Sequence, residues 1–62
     1  MTKRVLIRTE GDKYIVELIE DVYGRTRIKR RKICSSLAIA KSVAKSWSIQ
    51  NGSCPINELS AK

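Results

Sequence analysis

The chain has 62 residues, with thirteen Lys and Arg against six Asp and Glu, no His, and a formal net charge of +7. A chain this short forms a single domain, 1–62, and buries only about 60 % of the surface its unfolded form exposes, so an enclosed substrate pocket and most metabolic enzymology are disfavoured. The charge excess makes a polyanion the expected partner class, nucleic acid ahead of an anionic membrane surface.

The amino terminus enters Lys3-Arg4-Val5-Leu6-Ile7-Arg8 with no apolar leader. No apolar run approaches the ~20 residues that span a bilayer. A cytoplasmic, intracellular location without a membrane partner is therefore expected. Residues 3–10 and 13–22 are rich in Val, Leu and Ile and are separated by Gly11-Asp12. Two such runs joined by a two-residue loop beginning with Gly predict a hairpin with a type II′ turn. Glu10 opposite Lys13 then sets Thr9 against Tyr14, Ile7 against Val16 and Val5 against Leu18 on a core face. Arg8 meets Ile15, Leu6 meets Glu17 and Arg4 meets Ile19 on the other face, because alternation fixes both sets at once.

The segment Arg25 to Lys32 holds six cations in eight residues and follows Val22-Tyr23-Gly24. A three-residue loop closing on Gly predicts a third strand over about 25–31, with Asp21 opposite Arg25 and Leu18 opposite Ile28. That register buries Ile28 and leaves Arg25, Arg27, Lys29 and Arg31 outward. A two-residue turn would instead place Lys29 beside Leu18 on the core side, which charge burial opposes.

Ser35 and Ser36 are helix-start residues, and Leu37, Ala40, Val43, Ala44 and Trp47, with Ile39 at the edge, form an apolar stripe over about 36–50. Asn51-Gly52 and Pro55 end the helix. The tail, 51–62, either folds back through Ile56 and Leu59 or frays. The expected fold class is α+β, in the order β-β-β-α: a three-stranded antiparallel sheet packed on one helix.

The exposed sheet face is thus expected to gather Arg4, Arg8, Arg25, Arg27, Lys29 and Arg31 as a nucleic-acid-binding surface, with duplex DNA favoured over single strands or RNA. A merely solvated face, balanced by Glu17 and Asp21, is the competing reading. Leu6, Ile15 and Ile19 share the face and suggest contact with thymine methyls, a protein partner, a homodimer, or cover by the tail. Trp47 belongs to the helix stripe, Tyr14 to the core edge and Tyr23 to a turn, so a stacking platform is only weakly signalled. No metal site or cofactor is expected, since two Cys without His cannot complete a zinc site and there is no Gly-rich phosphate loop. Cys34 and Cys54 are expected as reduced thiols. No nucleophile has a base beside it, so the chain reads as non-catalytic.

Over Val5 to Gln50, the element order, size and charge placement resemble the arm-type DNA-binding domain of tyrosine recombinases and, similarly, the plant AP2-type domain. The resemblance implies a sheet set in the major groove, a helix bracing it from behind, and Arg4, Arg8, Arg27, Lys29 and Arg31 facing the groove. It also suggests a phage or mobile-element setting. The alternative function is a protein-interaction module, such as an inhibitor or assembly subunit, that binds an acidic partner through Leu6, Ile15 and Ile19.

Overall fold

The computed structural model describes residues 2–59, apart from the Leu59 side chain. Three antiparallel strands, β1 (Thr2–Glu10), β2 (Lys13–Val22) and β3 (Arg25–Cys34), are followed by helix α1 (Leu37–Gln50) and a short strand β4 (Ile56–Leu59). The architecture is α+β, but the sheet is mixed and four-stranded, in the order β3-β2-β1-β4, and the helix lies mid-chain. The fourth strand corrects the three-stranded expectation. Ile56–Leu59 pairs parallel to Val5–Arg8, with the Val5 amide donating to the Pro55 carbonyl. Four residues with one strong β-former carry little strand signal of their own, so β4 depends on the edge that β1 offers. The last three residues of the expected tail lie outside the described residues.

The first hairpin has the register read from sequence, Val5 to Leu18 and Ile7 to Val16 included. Gly11 has φ +62 while Asp12 does not enter the left-handed region, as a type II′ turn requires. The helix also follows expectation. The Ser36 hydroxyl accepts from the Ile39 amide, capping the first turn.

The core is Val5, Ile7, Val16, Leu18, Cys34, Ala40 and Ala44, with Tyr14, Val43, Trp47 and Cys54 packed against it. Two small alanines let the helix sit close over β1 and β2. Ser48 is buried as well, an unexpected polar member of the stripe. Its hydroxyl donates to the Cys54 carbonyl, and its own carbonyl accepts from the amides of Asn51, Ser53 and Cys54. These bonds satisfy the helix end and turn the chain back toward β4. Leu37 and Ile39, placed on the stripe from sequence, are exposed instead.

Cys34 lies opposite Tyr14 on one edge strand, while Cys54 precedes β4 on the other. Three strand spacings of about 4.8 Å separate the edges, well beyond disulfide reach. Both thiols are free.

Candidate nucleic-acid interface

The second hairpin departs from its expected register. Val22 pairs with Arg25, so the loop is Tyr23-Gly24 alone, with φ +50 and +79. Two successive positive values define a type I′ turn, which suits the twist of paired strands. Asp21 then faces Thr26, Glu20 faces Arg27 and Ile19 faces Ile28. Between Ile19 and Leu18 the ladder shifts, because Leu18 pairs with Arg30 and Lys29 is the extra residue of a β-bulge.

The faces follow from this pairing. Arg25, Arg27, Arg30 and Lys32 stand in rows with Val22, Glu20, Leu18 and Val16, on the helix side of the sheet. Lys29 joins that side, since its Nζ lies 4.0 Å from Glu20. The expected outward placement of Arg25, Arg27 and Lys29 is therefore corrected. Ile28 is not in the core either, but 56 % exposed on the outer face. The physical reason is where the helix lies. It lies mainly over β1 and β2 and reaches β3 only near Cys34 and Arg30, so the helix side of β3 from Arg25 to Lys32 stays exposed and no charge is buried there.

Of the remaining expected site residues, Arg4, Arg8 and Arg31 do share the outer face. Arg8 Nε lies 3.1 Å from Glu17, Arg31 Nε lies 4.0 Å from Glu17, and Arg4 Nε lies 4.0 Å from Asp21. Glu17 is buried at 4 % exposure, between arginines from both neighbouring strands. The Arg8 Nε is also buried and makes no hydrogen bond, so its contact with Glu17 is electrostatic rather than a directed bond. Leu6 is half-buried, while Ile15 and Ile19 are buried at 3 % and 6 % under their cross-strand neighbours Ile33 and Ile28. Among the described side chains, the exposed aliphatics of this face are Ile28 and Ile33. Of the two residues expected to cover this face, Ile56 pairs with Val5 and so lies on the helix side, where it gives the outer face no cover, and the Leu59 side chain lies outside what the structure describes.

The helix-side flank of β3 thus carries Arg25, Arg27, Lys29, Arg30 and Lys32, with Glu20 as the carboxylate facing them. Every residue from Arg25 to Ile33 is exposed, and β3 is a sheet edge. The bulge brings Lys29 and Arg30 side by side. Arg30 lies over the Trp47 ring, 6.0 Å from its centroid. Between this pair and the end of the helix is a half-open depression of about 250 Å³ lined by Leu18, Lys29, Arg30, Gln50 and Asn51. Sequence reasoning missed Arg30 and Lys32 as site members, although the polybasic run contains both. What it lacked was the position of the bulge.

Among the described residues, no group of three or more His, Cys, Asp and Glu is placed to hold a metal ion, and no helix is long and apolar enough to cross a membrane. No protein family, curated protein or solved structure matches the chain.

Proposed function

We propose that the chain is a small, non-catalytic nucleic-acid-binding protein whose contact surface is the helix-side flank of β3. The observation that carries the reading is the alignment of Arg25, Arg27, Lys29, Arg30 and Lys32 along one exposed edge, opposed among the described residues by Glu20. Alternate residues on a strand recur every ~6.6 Å, so the flank presents a linear track of positive charge to a phosphate backbone. A recessed enzyme site has no counterpart in this row. The row also differs from the outer face, where arginines and carboxylates neutralise one another. The arm-type and AP2-type resemblance would use that outer face; the charge distribution favours the flank.

The test is double reversal at two flank residues that have no acidic partner, Arg25→Glu with Lys32→Glu. Affinity for a nucleic-acid oligomer should fall by about two orders of magnitude at low salt, with the circular-dichroism melt unchanged. Undiminished binding in a folded double variant would sink the proposal.

A second reading, a protein-interaction surface, is favoured by one observation: Ile28 and Ile33 are 56 % and 62 % exposed on the outer face beside Arg31. Ile28→Thr with Ile33→Thr separates the two readings. Loss of self-association in sedimentation, with nucleic-acid binding intact, would assign that face to a second copy of the chain.

A further inference from the structure

The strand-and-helix geometry around β3 offers two aromatic positions along the basic flank. Tyr23 is the first residue of the type I′ turn and is 100 % exposed. Such turns favour Asn, Asp or Gly at that position, because φ near +50 crowds a larger side chain. An aromatic ring there has no packing role, since nothing in the fold covers it. Tyr23 lines an open depression at the hairpin tip together with Val22, Arg25, Thr26 and Arg27. The hairpin reaches past the end of the helix, which lies near Lys3 and hence near the row of Glu20 and Arg27.

The second position is the Arg30–Trp47 pair, about 20 Å further along the strand at ~3.3 Å per residue. Trp47 is half-buried, and the Arg30 guanidinium lies toward one face of its ring. A planar guanidinium stacked on an aromatic ring leaves its other face free for a base. The adjoining depression, of about 250 Å³, has Leu18 at its apolar floor and Gln50 and Asn51 on its wall. An enclosed cavity of ~150 Å³ already holds benzene, so this open depression has volume enough for a nucleobase ring. The Asn51 amide is committed, donating to the Trp47 carbonyl and accepting from Lys3. Gln50 makes only a 3.4 Å bond to Ser46 on the helix surface, and its carbonyl oxygen is open to a base edge.

We propose that this flank takes single-stranded nucleic acid, with unpaired bases stacking on Tyr23 at one end and entering the Arg30–Trp47 depression at the other. The proposal rests on the nucleic-acid reading above and reverses the duplex preference drawn from sequence. Duplex DNA would present phosphates to the same cations but keep its bases paired and out of reach of both positions. Cations that track a backbone beside aromatic platforms are the general arrangement of single-strand binders.

The experiment is a fluorescence-anisotropy titration at matched salt with two probes, oligothymidylate of about sixteen nucleotides and a mixed-sequence duplex of equal length. The single strand should bind at least about tenfold more tightly and should change the emission of Trp47, the sole tryptophan. Tyr23→Asn should weaken single-strand binding about tenfold while the slope against log salt stays constant, and Tyr23→Phe should restore it. Asn tolerates the turn conformation, so the loss cannot be assigned to unfolding. Equal or tighter duplex binding, or an inert Tyr23→Asn, overturns the stacking proposal while leaving the nucleic-acid reading in place if Arg25→Glu/Lys32→Glu still abolishes binding. If the unaltered protein binds neither probe, both readings fall.

Discussion

On the outer face of the sheet Arg4, Arg8 and Arg31 each have a carboxylate within 4.0 Å, whereas the helix-side flank of β3 sets five cations against Glu20. The outer arginines serve the fold. Arg8 and Arg31 neutralise the buried Glu17 carboxylate of β2, and Arg4 and Arg8 stand in the cross-strand rows of Ile19 and Ile15. On the flank Lys29 faces Glu20 and Arg30 lies over Trp47, but Arg25, Arg27 and Lys32 have no comparable partner among the described residues, because the helix does not cover them. Part of their role is protective, since a long exposed edge strand invites pairing with another chain, and both cations and a bulge discourage it. Edge protection does not require five cations to lie on one side, however, nor two of them to meet beside a depression at the helix end. Charge in excess of what the fold neutralises, and spatially ordered, is the charge available to a partner.

The largest expected separation of the two regions comes from Glu17→Ala. Removing the carboxylate leaves Arg8 and Arg31 without their partner and opens space between β1 and β3. We expect a loss of about 2–4 kcal/mol, less than for a fully buried pair because both arginines are partly exposed. Urea denaturation measures it. At a temperature where the variant stays folded, its nucleic-acid affinity should equal that of the unaltered chain. A stability loss under about 0.5 kcal/mol would mean the Glu17 cluster is only surface charge, and the contrast between the faces would vanish.

How much of this was legible in the sequence divides at Ile19. The first hairpin could be read to the residue because Val5, Ile7, Val16 and Leu18 alternate with polar neighbours on both strands, and a slip would have buried Arg8. In β3 the pattern contains only Ile28 and Ile33 as aliphatics, and they are an odd number of residues apart. Both stand on the outer face in the structure, which is possible only if an extra residue intervenes, and Lys29 is that residue. The odd spacing was a readable sign of the bulge. The type I′ turn was harder to foresee, because Tyr is disfavoured where it occurs. Burial of Lys29 had counted against a two-residue loop, but that objection assumed a helix extending over β3. Sequence alone does not say which strands of a sheet a single helix covers. The parallel strand β4 was illegible for a related reason, since its pairing depends on where Ser48 and Asn51 direct the chain after the helix.

The finest test uses two adjacent residues. Arg31 and Lys32 are both exposed cations on one strand, yet Arg31 pairs across with Glu17 on the outer face and Lys32 with Val16 on the helix side. Sequence neighbourhood and net charge are the same for Arg31→Gln and Lys32→Gln, so a difference opposite to Arg's stronger phosphate binding reports the face. Lys32→Gln should lower the slope of log affinity against log salt by about 0.7–0.9, the loss of one phosphate contact, without affecting stability. Arg31→Gln should leave the slope unchanged and lower stability by up to about 1 kcal/mol. Identical slopes for the two variants would show that the polybasic run acts as undifferentiated charge. In that case the bulge that divides it would have no part in binding.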